Sequence, residues 1–282
     1  MYLGLDLGTS GVKALLIDHA QTVIGSAHGE LDVSRPHPGW SEQDPVQWIK
    51  ACRTAIDGLR AAHPKEFSAI AGIGLSGQMH GATLLDEQDQ VLRPCILWND
   101  TRSYREAAKL DADPAFRAIT GNIVFPGFTA PKLVWVANNE PDIFARIRKV
   151  LLPKDYLRLW LTGEYVSDMS DSAGTSWLDT GARHWSRELL DKTNLDESQM
   201  PRLAEGTDAT GRLRAELAAE WGIAGQPVVA GGAGDNAASA CGMGTVSHGH
   251  AFVSLGTSGV LFAANGAYQP KPESAVHAFC HA

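Results

Sequence analysis

Two copies of one hexapeptide carry the residue types that bind phosphate. The letters LGTSGV stand at 7–12 and return at 255–260. Apolar runs flank each copy, which predicts two strand–turn–strand hairpins whose glycines permit positive φ. Backbone N–H groups and hydroxyls of such turns can hold phosphate, here at Gly8, Thr9, Ser10, Gly256 and Thr257. A single Gly-rich hairpin carries a high false-positive risk. Two identical copies indicate two similar domains that present their turns to one polyphosphate.

An acidic residue precedes the first hairpin only. Asp6 stands directly before the first copy, whereas Ser254 occupies the matching place before the second. A carboxylate beside a phosphate-binding turn can hold a metal ion that neutralises the phosphates. The sequence therefore predicts a metal site at Asp6.

Further polar side chains follow predicted strands in three separate segments. These segments are Gln78-Met79-His80, Trp98-Asn99-Asp100 and Asp235-Asn236. Open α/β sheets bind ligands at the carboxyl ends of strands, so we expect the segments to converge. Taken singly, His80 could be an interior histidine, and Asn99 or Asp235 could cap a helix. Together, an aromatic face, amide and imidazole donors and two acids suit a polyhydroxylated ligand such as a carbohydrate.

The elements that must position these residues form an α/β pattern. Residues 2–7, 12–18 and 22–31 are predicted to be consecutive strands of a mixed sheet. Asp44-Pro45 starts a helix that covers this sheet, since Asp favours the N-cap and Pro the first turn. A short strand at 227–230 leads through a glycine turn to Asp235 and a helix rich in small residues. The pattern resembles the actin-like ATPase (ribonuclease H-like) fold, a mixed sheet with flanking helices, shared by sugar kinases, heat-shock chaperones and actin.

One glycine motif favours a different fold but lacks the required context. Residues 72–77 match the dinucleotide-binding pattern G-x-G-x-x-G. That pattern must open a helix, whereas here the chain continues into a strand-like run at 82–86. We therefore predict no Rossmann dinucleotide site.

The chain is expected to contain one domain and the start of another. We predict an N-terminal domain over 1–245, with the sugar site, the first hairpin and an insertion at 120–179. Residues 246–282 would begin a second domain around the second hairpin. A final strand over 276–280 would lack its partners, so this domain is expected to be incomplete.

Composition excludes several classes of protein. The 282 residues carry a net charge of −8 without basic clusters, which argues against a nucleic-acid partner or a polybasic membrane surface. No apolar run reaches membrane-spanning length, and no leader precedes the first strand. The four cysteines form no C-x-x-C pair, which favours a reducing compartment. These features predict a soluble, cytoplasmic protein; a homodimer stays an option.

The order of motifs resembles the FGGY family of carbohydrate kinases across the whole chain. The matching segments are Asp6-x-Gly8-Thr9-Ser10-Gly11, Ser76-Gly77-Gln78-Met79-His80-Gly81, Trp98-Asn99-Asp100, Pro131-Lys132-Leu133-Val134-Trp135, Gly231 to Asn236 and Leu255-Gly256-Thr257-Ser258. Within the family, the second and third segments resemble those of members that act on xylulose. Family members carry a complete second domain that holds the adenine, and we expect residues 246–282 to be only the start of that domain.

The resemblance implies a reaction and a role for each motif. ATP and Mg²⁺ would serve transfer of the γ-phosphate to the 5-hydroxyl of D-xylulose, giving D-xylulose 5-phosphate and ADP in xylose metabolism. Asp235 would be the general base, and Asp6 would serve the metal-bound phosphates. Met79 and His80 would contact the sugar, together with Gln78 and residues 98–100 and 236.

Two alternatives stay open. One is a family kinase for another ketose or polyol, such as ribulose. The other is a non-catalytic actin-like module that assembles or senses sugar, which would not need an acid at position 235.

Overall fold

The computed structural model describes residues 1–255 and 259–282, so Gly256 and Thr257 of the predicted second phosphate turn lie outside the described residues. The strands are β1 (Tyr2–Leu7), β2 (Gly11–Ile17), β3 (Val23–Glu30), β4 (Glu42–Gln43), β5 (Gly72–Gly77), β6 (Thr83–Leu85), β7 (Cys95–Ile96), β8 (Lys149–Leu151), β9 (Val166–Asp168), β10 (Leu178–Asp179), β11 (His184–Trp185), β12 (Arg202–Ala204), β13 (Ala209–Arg212), β14 (Val228–Ala230), β15 (Ala233–Gly234), β16 (Ala251–Leu255) and β17 (Gly259–Ala263).

The α-helices are α1 (Pro45–Ala62), α2 (Pro64–Ser68), α3 (Tyr104–Asp111), α4 (Pro114–Thr120), α5 (Thr129–Asn139), α6 (Pro141–Phe144), α7 (Pro153–Thr162), α8 (Met169–Ser172), α9 (Arg187–Asp191), α10 (Ala215–Trp221) and α11 (Asp235–Gly242). Within the described ranges, no helix has the length and apolar character needed to cross a membrane.

The largest described sheet is mixed. Its strand order is β13-β14-β5-β1-β2-β3, and β15 also pairs with β5. Strands β1, β2 and β3 form the predicted antiparallel meander, while β5 lies parallel to β1, β14 and β15. Alternate β1 residues, from Leu3 to Leu7, point into the core. The predicted α/β class and mixed sheet are confirmed, and β5 continues into strand β6, so the glycine pattern at 72–77 opens no helix.

Helix α1 begins where the sequence predicts. The Asp44 side chain accepts a hydrogen bond from the Val46 backbone N–H at 3.0 Å, and Pro45 occupies the first turn. Its buried face includes Trp48, Cys52 and Leu59, which pack against the sheet.

A second core lies outside the large sheet. It contains Leu84, Ile96, Phe116, Leu133 and Trp177, and all its members lie between residues 82 and 200. The segment 120–179 adds no strand to the large sheet within the described part of the chain. This agrees with the insertion that the sequence predicts.

The last segment departs from prediction. The predicted strand at 276–280 is wrong: Val276 makes one isolated bridge to Lys271, and the following residues are irregular. The Asn122 side chain explains the difference, because its amide oxygen and nitrogen bond the backbone N–H and C=O of Ala278 at 2.8 and 3.0 Å. Cys280 is then buried in a small cluster with Ala173 and Leu178. The β16–β17 hairpin pairs antiparallel as predicted; the domain boundary at 245/246 stays a prediction.

Candidate active site

Two carboxylates flank the carboxyl end of β5. Asp6 on β1 lies opposite Ser76 of β5, and Ser76 lies opposite Ala233 of β15, two residues before Asp235. This places Asp6 and Asp235 on either side of one strand end, where open α/β sheets bind ligands.

Asp235 is the first residue of α11 and is accessible to solvent on its open side. Partial burial by the surrounding chain nevertheless raises its pKa, and the charge of Asp6 acts in the same direction. Hydrogen bonds from the Asn236 backbone N–H and side-chain amide, at 2.7 and 3.0 Å, oppose that shift. The site thus contains a carboxylate with raised basicity, held by its neighbour. This is the property that a general base needs.

Thr9 connects the first hairpin to two of the predicted sugar segments. Its hydroxyl accepts a hydrogen bond from Trp98 Nε1 at 2.9 Å and donates to Gln78 Oε1 at 3.1 Å. Gly8 N–H closes the turn on Gly11 O at 2.9 Å, and the Ser10 side chain is exposed beside it. The predicted phosphate turn and the predicted sugar segments are therefore one hydrogen-bonded unit.

Sequence reasoning missed Gln43, which completes this unit. Its amide nitrogen donates to Thr9 O at 2.7 Å, and its amide oxygen accepts from Gln78 Nε2 at 3.0 Å and Trp48 Nε1 at 3.0 Å. Gln78 is buried, with its amide oxygen and nitrogen bonded to Thr9 and Gln43. Its predicted contact with sugar stays a prediction; the geometry assigns it to bracing Thr9. The only sequence signal for Gln43 was its place beside the Asp44 cap.

His80 is held in an unusual conformation beside an open cavity. Its φ is 68°, and its ring stacks on Phe128 with centroids 4.7 Å apart. Burial lowers the pKa of His80 to about 3, and the nearby positive charge of Lys132 adds to this effect. Nδ1 lies 2.8 Å from Gly174 O. Because a carbonyl can only accept, Nδ1 carries the proton and the Nε2 lone pair can accept from a ligand hydroxyl.

The cavity beside His80 has a volume of about 270 Å³. Its walls include His80, Trp98, Asn99, Asp100, the loop 125–128 and His277. Trp98 and Asn99 are exposed toward it. An aromatic face beside polar side chains suits a sugar. His277 and the loop 125–128 were not predicted, because nothing in local sequence indicates that they meet His80.

Asp100 is tied to the protein rather than free. Its carboxylate accepts from the Ser41 backbone N–H at 2.5 Å and from the Arg102 guanidinium at 2.9 and 2.7 Å. The same guanidinium lies 3.6 Å from the Trp40 ring centroid. Asp100 therefore shapes the loop that presents Trp98, and direct sugar binding by Asp100 stays a prediction.

Met79 joins the sugar segments to the glycine turn. It is buried, and a Cβ atom added at Gly234 would lie only 3.0 Å from its Cγ and Sδ. A larger residue at 234 would therefore require the Met79 side chain to shift. Asp235 and Asn236 lie beyond this contact and are not part of the cavity wall among the described residues.

The donors at this site fit Mg²⁺. Within the described residues, no cluster of three or more metal-binding side chains exists. Mg²⁺ usually keeps several waters and binds one or two carboxylates together with substrate phosphates. The exposed Asp6 carboxylate, beside a turn with phosphate-binding character, satisfies that requirement.

Comparisons with known proteins all match this chain to carbohydrate kinases. A model of the FGGY family of carbohydrate kinases, N-terminal domain, matches residues 1–242. A xylulose kinase of Escherichia coli (strain K12) is 56% identical over 283 residues, covering 100% of this chain and 58% of that protein. A crystal structure of a xyloylose kinase from Brucella ovis has 87% identity and a TM-score of 0.99, over 99% of this chain and 58% of that one.

One more distant relative of known structure bears a different kinase name. A gluconate kinase from Lactobacillus acidophilus has 27% identity and a TM-score of 0.86, with 92% of this chain and 53% of that chain covered. The chain thus spans little more than half the length of these relatives.

Proposed function

Since this chain belongs to the FGGY family of carbohydrate kinases, we propose that the whole protein transfers the γ-phosphate of ATP to the 5-hydroxyl of D-xylulose. The observation that carries the proposal is that Asp235 and Asp6 lie at the same end of the sheet. Met79, which packs against Gly234, and Thr9, which bonds Trp98, connect that end of the sheet to the cavity beside His80. Similarity to proteins named xylulose kinase favours xylulose as the sugar.

Each side chain has a role in this proposal. Asp235 accepts the proton of the attacking hydroxyl, and its raised pKa makes it a stronger base than an ordinary aspartate. His80 Nε2 and the Trp98 face orient the sugar. The backbone N–H groups of Thr9 and Ser10, together with the Ser10 hydroxyl, donate hydrogen bonds to the transferring phosphoryl group. Bound Mg²⁺ at Asp6 would neutralise charge on the phosphates.

The proposal extends to partners and location. The second phosphate turn at 255–260 and an adenine site outside this chain would bind ATP from the opposite side, and closure of the two domains would exclude water. We further propose a cytoplasmic protein, since sugar phosphates are products of cytosolic metabolism. A homodimer is compatible with this assignment.

A substrate panel tests the proposal. The whole protein, with Mg²⁺ and ATP, is assayed for ADP release with D-xylulose, D-ribulose, glycerol and gluconate. We expect the highest kcat/KM with D-xylulose. A clear preference for another sugar or polyol would mean that this compound, and not D-xylulose, is the substrate. Absence of turnover with all four compounds would favour the non-catalytic actin-like module.

A further inference from the structure

A cluster of buried charges lies behind the glycine turn that carries Asp235. Lys154 Nζ lies 2.6 Å from Asp155, 2.6 Å from Asp168 and 3.2 Å from Asp171, and all four side chains are fully buried. None of them touches the cavity beside His80 among the described residues. The proposed chemistry leaves this cluster without a role.

Ser170 connects the cluster to the turn. Its hydroxyl donates to Asp168 Oδ1 at 2.5 Å and accepts from the Gly234 backbone N–H at 3.1 Å. Gly234 directly precedes Asp235, so a chain of bonds runs from Lys154 through Asp168 and Ser170 to the N–H of the residue before the proposed base.

A second side chain of α7 holds the other end of the turn. The buried Arg158 guanidinium donates to Ala230 O at 2.8 Å and Gly231 O at 2.5 Å. The Gly232 backbone N–H bonds Gly206 O at 2.9 Å between these two anchors. The turn is therefore fixed at its start, middle and end by groups outside it.

Stability alone explains this arrangement poorly. Burying several charges costs desolvation free energy, and packed apolar side chains often stabilise a fold as well or better. Burial raises the pKa of Asp171 well above its ordinary value, and the nearby Asp168 and Asp155 act in the same direction against the attraction of Lys154. A buried network of hydrogen bonds and ion pairs can hold a backbone group in one orientation.

We infer that Ser170, supported by Asp168 and Lys154, is a positioning residue for Asp235. By fixing the Gly234 N–H, it sets the direction in which the Asp235 carboxylate leaves the end of β15. The role rests on the proposed function, in which Asp235 accepts the proton. Reacting groups must be held within a fraction of an ångström, and a displacement of about 1 Å can lower a rate by about 10²-fold.

The test compares Ser170→Ala with Ser172→Ala in the whole protein. Ser172 is a matched control, because it is equally buried on α8 but bonds the Ser167 hydroxyl at 2.9 Å instead of the turn. Ser170→Ala should lower kcat about 10- to 100-fold with little change in either KM, whereas Ser172→Ala should keep kcat near wild type. In an Asp235→Asn background, Ser170→Ala should cause no further loss, because its effect passes through Asp235.

A measurement independent of turnover separates this inference from the proposed function. Hydrogen exchange of the peptide covering 228–236 should accelerate in Ser170→Ala and not in Ser172→Ala. If Ser170→Ala does not fold, Ser170→Cys keeps the size with a much weaker acceptor and takes its place. Equal exchange and equal kcat in the two serine variants would overturn the positioning role. Wild-type protein that exchanges as expected but does not phosphorylate D-xylulose would overturn only the proposed function.

Discussion

The Trp98 indole N–H donates to the Thr9 hydroxyl across 2.9 Å, although 89 residues separate them in the chain. Thr9 belongs to the turn proposed to bind phosphate, and Trp98 forms a wall of the cavity proposed to bind sugar. Because Thr9 also donates to Gln78, a shift of the turn must change the position of both sugar segments. The proposed phosphate site and the proposed sugar site are therefore connected through the Thr9 hydroxyl.

Replacing that hydroxyl should impair the binding of both substrates. Thr9→Val keeps the shape but removes the bonds to Trp98 and Gln78, so the KM values for ATP and for D-xylulose should both rise, by about 5- to 30-fold for a lost hydrogen bond or two. Ser10→Ala is the control, because the Ser10 side chain is exposed and the bonds to Trp98 and Gln78 belong to Thr9. It should raise the KM for ATP only. Equal KM values for D-xylulose in Thr9→Val and wild type would show that the sugar site does not depend on the Thr9 hydroxyl.

Asp235→Asn should remove turnover while preserving the fold. The amide has nearly the same shape but cannot accept the proton, and loss of a general base typically costs about 10²–10⁴-fold in rate. The KM for sugar should change little, since Asp235 is not part of the cavity wall among the described residues. Steady-state kinetics of the whole protein measure both constants. A kcat near the wild-type value would remove Asp235 from the chemistry.

The sequence anticipated those parts of the site that depend on local pattern. The Asp44 cap, the first hairpin and the glycine turn before Asp235 each follow from neighbouring residues, and the sheet register then brings Asp6 and Asp235 to one strand end. The contacts of Gln43 and Ser170 could not be predicted. They join segments 34 and 64 residues apart through buried side chains, and no periodicity in the chain encodes such pairs.

The wrong strand at 276–280 has the same origin. Residues 276–280 are apolar except for His277, which predicts a strand when only local preference is considered. Here the Asn122 amide satisfies both backbone groups of Ala278, so no neighbouring strand is needed. A side chain 156 residues away decided the local structure.

His80 should affect the sugar alone and should make the protein sensitive to acid. His80→Ala should raise the KM for D-xylulose, since an unpaired ligand hydroxyl costs about 1–3 kcal/mol, and should leave the KM for ATP nearly unchanged.

The pKa of His80 in the folded protein, about 3, lies below the ordinary 6.5, so the unfolded chain binds a proton first as pH falls. Wild-type stability should therefore decline between about pH 6.5 and 3.

Thermal melts across that pH range test the linkage. His80→Gln, which cannot take up the proton, should show a smaller decline than wild type, and the exposed His184→Gln should match wild type. Parallel curves for all three proteins would mean that His80 is not buried as a neutral ring.

Lys132 should stabilise the walls of the sugar cavity through its hydrogen bonds. Its buried Nζ donates to His80 O at 2.7 Å and Gly127 O at 2.5 Å, which ties two walls of the cavity together. Lys132→Met keeps the length but loses both bonds, so the KM for D-xylulose should rise about 10-fold or more. The exposed Lys65→Met is a suitable control. An unchanged KM in Lys132→Met would show that the walls hold without this tie.

The same lysine gives a pH signature with a definite sign. Burial lowers the pKa of Lys132 from 10.5 to about 7, against the attraction of Asp100. Between about pH 7 and 10.5 the unfolded chain therefore holds a proton that the folded chain has released, and folded stability rises with pH. Wild type should gain in Tm relative to Lys132→Met from pH 7 to 9.5, where Lys65→Met should follow wild type. A constant difference between the two melts would contradict the lowered pKa.

Binding of D-xylulose by residues 1–282 should depend on the segment that contains His277. His277 lies in the cavity wall, with its ring centroid 5.0 Å from that of Phe125 and 5.4 Å from that of Phe128, and Asn122 fixes the adjoining Ala278. Calorimetric titration of 1–282 should therefore detect D-xylulose, with little or no heat from ATP–Mg²⁺, because the proposed adenine site lies outside this chain. His277→Ala should weaken sugar binding about 10-fold, the loss of roughly one hydrogen bond or ring contact. Val276→Ala, at an exposed neighbouring side chain, should not. Equal affinities for D-xylulose in these two variants would place the sugar away from His277. Tight ATP binding by 1–282 would contradict the proposal that two domains together bind the nucleotide.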